Sequence, residues 1–283
     1  MHTVAEEHVQ AGGKGVNVAR VLQALGVPVT TIVVVGGRTG REIVDDLECA
    51  SLPTLAIETS GESRTCLEIV ERRNARATQL HGRGVDGSAD VLERVIDAVE
   101  SLPNDVSWVA ISGSLPPGMP VDAVRRIGES ARRRGCRIAV DTRGPALLVA
   151  WSIAPDLVRT NREELADVLR TDAKTLPGPP YPQLGRPGLG VVSHGRAPFM
   201  AWLEDGTRWS ITPPPVKVVN AIGCGDSMLA GLLASLLAEE TPEASLRAAT
   251  ALAAAEATSP LAGRTDVALA RSLEPGVRIT RAA

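Results

Sequence analysis

The stretch VVNAIGCGDSMLAGLLA, Val218–Ala234, runs from β-branched residues through a Gly-Cys-Gly turn into an apolar helix, and Asp226 is its one acid. Gly223, Cys224 and Gly225 permit a tight turn whose N–H groups converge on one anion, with the dipole of the following helix adding positive potential. A carboxylate at that point has two uses. It can cap the helix in the ordinary way. It can also take a proton from a substrate hydroxyl while the turn amides hold negative charge on a phosphoryl group in transfer. NREEL, Asn161–Leu165, sets Asn161 and Glu164 three residues apart, on one face of a first helical turn. They serve as an N-cap and a dipole-facing acid, or as two oxygen groups beside a hydrated Mg²⁺, which needs few protein ligands.

Other stretches carry weaker signals. AGGKGVNVARVLQALG, Ala11–Gly26, is a glycine turn feeding a helix with an apolar stripe at Val18, Val21, Leu22 and Leu25. Glycines allow close backbone approach to a ligand, and a helix N-terminus offers free N–H groups. Lys14 and Asn17 lie beside that opening, and Lys14 is one of only three lysines (with Lys174 and Lys217) among 30 basic residues. The spacing is neither a Walker loop nor GxGxxG. VVVGGRTGREI, Val33–Ile43, has strand, GGxxG and helix but lacks the full dinucleotide glycine spacing, and it reads as a turn. In ISGSLPPGMP, Ile111–Pro120, Ser112, Gly113 and Ser114 offer hydroxyls and amides to an oxygen-rich substrate at the end of a buried strand. His194 has no acid or nucleophile near it in sequence and reads as a surface or structural residue.

The elements that must position these groups follow from hydrophobic pattern. TTIVVVG, VSWVAIS, CRIAVDT and DLVRTN are short apolar runs, and each precedes a helical pattern. That alternation is the mark of a parallel sheet covered by helices on both faces, an α/β fold. The region 62–82 breaks the pattern: CLEIVERRNARATQLHG alternates in period two and predicts a β-hairpin standing apart, of the kind that covers a site. In LPGPPYPQLGRPGLG, Leu176–Gly190, nine of fifteen residues are Pro or Gly, which excludes a helix. No repeat or linker divides residues 1–283, so a single domain is expected.

With 44% hydrophobic residues the chain can bury a large core, and a net charge of −3 argues against a nucleic-acid partner. No apolar run approaches a membrane span, and MHTVAEEHVQ has no leader pattern. Cys49, Cys66, Cys136 and Cys224 are widely spaced and read as reduced thiols of a cytoplasmic protein.

Together the motifs resemble the ribokinase-like carbohydrate kinases of the phosphofructokinase B family. AGGKGVNVARVL resembles the family's N-terminal motif and VVNAIGCGDSMLAGLLA its C-terminal one, with SGSLPPG, NREEL and VVSHG between them in the family's order. The resemblance implies a three-layer αβα sandwich with a small β-sheet lid, and transfer of a phosphoryl group from ATP to a sugar hydroxyl. It makes Asp226 the catalytic base and Gly223, Cys224 and Gly225 the anion hole. It places Asn161 and Glu164 in the Mg²⁺ and phosphate motif, Ser193 and Gly195 in a nucleotide-binding turn, and Gly12, Gly13 and Asn17 at the sugar. Within the family, SGSLPPG, the lysine of GGKG and Arg64 of SRTCLEI look most like 1-phosphofructokinases and tagatose-6-phosphate kinases. Lys14 and Arg64 are suitable charges for a substrate phosphate, the arginine as a bidentate fork.

The expected substrate is therefore fructose 1-phosphate. Tagatose 6-phosphate, fructose 6-phosphate and an impaired, merely binding relative are the alternatives; a nicotinamide-dependent oxidoreductase built on Gly36–Gly40 is a minor one. A homodimer through the lids is a further expectation. Family members carry a strand and an Asn-Pro-Ala-x-Asp segment ahead of the first glycine motif. MHTVAEEHVQ does not match it, which predicts an incomplete lid and an exposed sheet edge. Cys224 stands where alanine is usual, His194 where leucine is common, and the Pro/Gly stretch replaces an expected helix.

Overall fold

Alternate residues of a strand point to opposite faces of its sheet, and in this chain both faces are apolar. The computed structural model describes residues 6–71, 76–176, 178–179, 181 and 187–282. From the N-terminus, α1 (Lys14–Ala24) leads to β1 (Thr31–Val35), α2 (Gly37–Cys49) and β2 (Thr54–Glu58). The hairpin β3 (Cys66–Glu71) and β4 (Arg76–His81) follows, then α3 (Ala89–Glu100). Strand and helix then alternate through β5 (Trp108–Ser112), α4 (Ala123–Arg133), β6 (Arg137–Asp141), α5 (Pro145–Ser152), β7 (Leu157–Asn161), α6 (Arg162–Val168) and β8 (Leu189–Ser193). Last come β9 (Phe199–Leu203), β10 (Arg208–Thr212), α7 (Cys224–Leu237), α8 (Pro242–Glu256), α9 (Val267–Leu273) and β11 (Arg278–Ala282).

The main sheet is ordered β11-β10-β9-β8-β7-β6-β5. Ala139, Leu157, Leu189 and Val191 face the apolar stripe of α1 and helices α7 and α8. Their neighbours Ile138, Val140, Val158 and Val192 face α4, α5 and α6. The result is a three-layer αβα sandwich. Helix α7 is apolar around most of its girth because α1 packs on one side and α8 on another. Gly231 allows the close approach of α8: a Cβ there would come within 2.7 Å of the Ala249 Cα.

Two features differ from the sequence expectation. Within the main sheet, β5 to β8 run parallel, whereas β9, β10 and β11 pair antiparallel. The connections after β8 and β9 are short turns, and a parallel crossover needs about a dozen residues or more. TTIVVVG also lies outside the main sheet: among the described residues β1 pairs only with β2, in a separate parallel ladder connected by α2. β5 is thus an edge of the seven-stranded sheet.

The hairpin stands apart as the pattern predicts, with Cys66 opposite His81 and Leu67 opposite Leu80. Leu67, Ile69 and Leu80 share one exposed face, and Glu68 and Gln79 are hydrogen-bonded on the other. Residues 72–75 at its tip lie outside the described residues. The Pro/Gly stretch has no helix among its described residues, and its residues 177, 180 and 182–186 lie outside them.

Candidate active site

The parallel strands end in polar residues. Ser112, Asp141, Asn161 and Ser193 are the last residues of β5, β6, β7 and β8, and register pairs Ser112 with Asp141 and Asn161 with Ser193. This is the edge at which open α/β sheets bind ligands. The N-termini of α1, α6 and α7 meet it. The Asn17 amide of α1 donates to Asp226 Oδ2 of α7 at 2.7 Å, in a buried contact.

Charges at this edge form one network. Lys14 Nζ lies 2.7 Å from Asp141 Oδ1 and 3.1 Å from Glu164 Oε1. Arg159, one alternation before Asn161 in β7, donates to Asp141 Oδ2 at 2.9 Å and to Ser193 Oγ at 2.7 Å. Asp141 is fully buried between the two cations. Burial opposes the charge on Lys14, but Asp141 and Glu164 outweigh it and hold the ammonium above its usual range.

Asp226 is the titratable centre of the site. Burial, reinforced by the negative charge of Asp141, pushes its carboxyl up to about 7, against the opposing pull of Asn17, Lys14 and Arg159. A base poised near neutrality suits proton abstraction from a hydroxyl. Behind it, Gly223 caps α7 with φ 88°, a conformation that disfavours side chains. A Cβ on Gly223 would lie 2.6 Å from Glu256 Oε1, and one on Gly225 would overlap the Arg159 guanidinium. Both glycines are therefore fixed by contact, and Gly223 by backbone angle as well. Between them, burial and then the charge of Glu256 push the Cys224 thiol up to about 12, so Cys224 is neutral and filling rather than nucleophilic.

The remaining expected residues divide. Asn161 is the N-cap of α6 in a complete capping box, its Oδ1 accepting from Glu164 N at 2.7 Å. Asn161 N donates to Glu164 Oε2 at 3.3 Å while Oε1 meets Lys14, so Glu164 both completes the cap and joins the charge network. Ser112 Oγ and Asn17 Oδ1 are buried with no hydrogen-bond partner among the described residues. Ser193 is bound to Arg159, whereas Gly195 sits in an exposed turn with φ 53°. Gly12 and Gly13 are exposed ahead of α1, with Gly13 its N-cap. Arg64 stands away from this network: it is exposed at the root of the hairpin, its side chain against Gly82 and Gly84. His194 is exposed. An open cleft of about 690 Å³ leads away from Glu164 between Ser114–Met119 and Arg143–Ala146, within the size range of ligand sites.

Sequence reading missed Asp141 and Arg159. The signal was present in both: an acid closing an apolar strand, and an arginine inside one, each in phase with the polar strand ends.

The family model of the pfkB family carbohydrate kinases matches residues 1–267, and the chain belongs to that family. It is similar to a 1-phosphofructokinase of Rhodobacter capsulatus, 32% identical over 240 residues that cover 82% of this chain and 75% of the relative. A 1-phosphofructokinase of Bacillus subtilis is 28% identical over 279 residues, covering 95% of this chain and 88% of the relative. Phosphofructokinase-2 of Escherichia coli has the same fold, with a TM-score of 0.83 at 24% identity over 97% of this chain and 92% of that one. Among the described residues no helix is long and apolar enough to cross a membrane.

Proposed function

We propose that the protein is an ATP-dependent 1-phosphofructokinase, converting fructose 1-phosphate and ATP to fructose 1,6-bisphosphate and ADP. The observation that carries this reading is Asp226, buried at the mouth of α7 with its carboxyl pushed up to about 7. The names of the two relatives support the choice of sugar phosphate. In the reaction the Asp226 carboxylate takes the proton of the C6 hydroxyl. The hydroxyl oxygen forms a bond to the γ-phosphorus of ATP, and the bond from that phosphorus to the β–γ bridging oxygen breaks, leaving ADP. Amides of the Gly223–Gly225 turn and the α7 dipole stabilise the equatorial oxygens in transfer. Asn17 holds Asp226 in place through its side-chain amide.

Glu164 fits a hydrated Mg²⁺: it lines the open cleft and already meets a cation in Lys14, and Mg²⁺ is usually held by one or two carboxylates plus waters and substrate phosphates. Glu164 would hold the ion, with Asn161 acting through water. The ion supplies neutralisation of phosphate charge when bound. Ser193 and Gly195 line the nucleotide side in this reading, and Gly12, Gly13 and Ser112 the sugar side. Lys14 and Arg64 hold the 1-phosphate, Arg64 being carried in by the hairpin as a lid over residues 62–82 of a single domain. The exposed Leu67, Ile69 and Leu80 face of that hairpin is where two copies would pair as a homodimer. A coupled ADP-release assay with MgATP against fructose 1-phosphate, fructose 6-phosphate and tagatose 6-phosphate tests the reading. Preference for fructose 1-phosphate supports it, and turnover of another sugar phosphate alone overturns the substrate. Absence of turnover with all three overturns the activity.

A further inference from the structure

Glu256 is the last residue of α8 and is buried to 1% exposure. A carboxylate at a helix C-terminus faces the negative end of the dipole, and burial adds a desolvation penalty. Something must hold it. Its Oε1 accepts from Gly263 N at 2.6 Å, and its Oε2 accepts a hydrogen bond from Thr265 Oγ1. Both donors belong to the loop Ser259–Thr265, which joins α8 to α9.

That loop is wedged against the site from two directions. Thr265 Oγ1 is 2.9 Å from Ser227 Oγ, in a buried pair one residue beyond Asp226. Gly263, at φ 72°, backs directly onto Asn17: a Cβ on it would lie 3.1 Å from the Asn17 Cα. Asn17 in turn donates to Asp226. Meanwhile Glu256 Oε1 packs under Gly223, where a Cβ would lie 2.6 Å away. Three contacts from one buried carboxylate therefore reach the first turn of α7, the amide partner of Asp226 and the glycine that starts the anion turn.

We infer that Glu256 is a positioning residue, which clamps the Ser259–Thr265 loop so that Asp226 and the Gly223–Gly225 turn keep their mutual geometry. It touches neither substrate nor reacting atoms. Its role rests on the phosphoryl-transfer reading, and misplacement of reacting groups by about 1 Å can cost about a hundredfold in rate.

The test uses the full chain and three variants, Glu256→Ala, Glu256→Gln and Thr265→Val. Glu256→Ala is expected to lower kcat by about 10- to 100-fold, with KM for fructose 1-phosphate within about threefold. Glu256→Gln keeps an acceptor for Gly263 N and offers an N–H to Thr265 Oγ1, so it restores most of that loss. Backbone hydrogen exchange supplies a readout independent of activity. In Glu256→Ala, exchange accelerates at residues 223–227 while β6, β7 and β8 keep wild-type protection. A folded Glu256→Ala with wild-type kcat and exchange overturns the inference, as does a Gln variant as impaired as Ala. If Glu256→Ala does not fold, Thr265→Val decides: a fall in kcat at constant KM supports the clamp, and wild-type kcat overturns it. If the wild-type chain phosphorylates none of the sugar phosphates, the functional reading falls, and the exchange comparison alone decides whether Glu256 holds the turn.

Discussion

Replacing Asp226 by asparagine should make the protein more stable and inactive. In the folded chain the Asp226 carboxyl is pushed up from 3.8 to about 7, first by burial and then by Asp141. The folded state therefore holds a proton that the unfolded state releases between these values, and stability falls as pH rises through this window. A carboxyl raised this far costs the folded state about 4 kcal/mol at pH above about 7.5. At about pH 5.5 the folded Asp226 is still protonated, and only about half of that cost is incurred. An asparagine has no charge to bury and retains an oxygen to accept from Asn17. The variant should thus exceed wild type by about 2 kcal/mol at about pH 5.5, widening to about 4 kcal/mol at about pH 8.5. Urea unfolding of both chains at the two pH values measures the gap directly. Loss of the base should lower kcat by about 10² to 10⁴, while calorimetry finds fructose 1-phosphate affinity within about threefold of wild type. A gap that does not widen with pH, or a variant less stable than wild type at the higher pH, would refute the buried-base argument. Undiminished turnover would refute the catalytic assignment.

The same carboxyl sets the pH dependence of the reaction. kcat/KM for the free enzyme should rise about tenfold per pH unit below about 7 and level off above it, and a flat profile from about pH 5.5 to 8 would point to a different base. Gly225→Ala drives a methyl into the Arg159 guanidinium; overpacking of this kind costs about 1–3 kcal/mol, read as a lower urea midpoint, together with a loss of kcat. Arg159→Met leaves Asp141 buried with Lys14 as its remaining cation. Removing one member of a buried ion pair costs about 3–5 kcal/mol, and thermal unfolding at neutral pH should show it. An Arg159→Met chain as stable as wild type would mean that Lys14 alone balances Asp141.

The sequence carried the layers and the turn-acid-helix arrangement of the α7 mouth further than it carried sheet topology or the supports of the site. Short apolar runs separated by amphipathic helices define layers because burial on two faces leaves no other pattern. They do not report strand direction. Direction in β9 and β10 is decided by the short connecting turns, that of β11 by where the chain returns after α7–α9, and the separation of β1 from the main sheet by which hydrogen-bonding edges meet. Asp226 and its glycines were legible because a turn, an acid and a helix are contiguous. Lys14 is different: its type and position were plain, but its engagement by Asp141 and Glu164 joins residues 127 and 150 positions away.

Arg159 and Glu256 mark the boundary of what local pattern can reveal. Arg159 lies inside a strand and Glu256 closes a helix, and each buried charge is justified only by what the fold brings to it. Arg159 underlies Gly225 and Glu256 underlies Gly223, so the two glycines of the anion turn rest on buried charges of opposite sign. The cation lies on the Asp226 side of the turn and favours the ionised base. The anion lies behind the helix entry, its charge offset by Gly263 and Thr265. A turn built in this way keeps its shape only while both supports are in place. Substitutions at Arg159 and Glu256, remote from each other in sequence, should therefore both perturb the same few amides between Gly223 and Asp226.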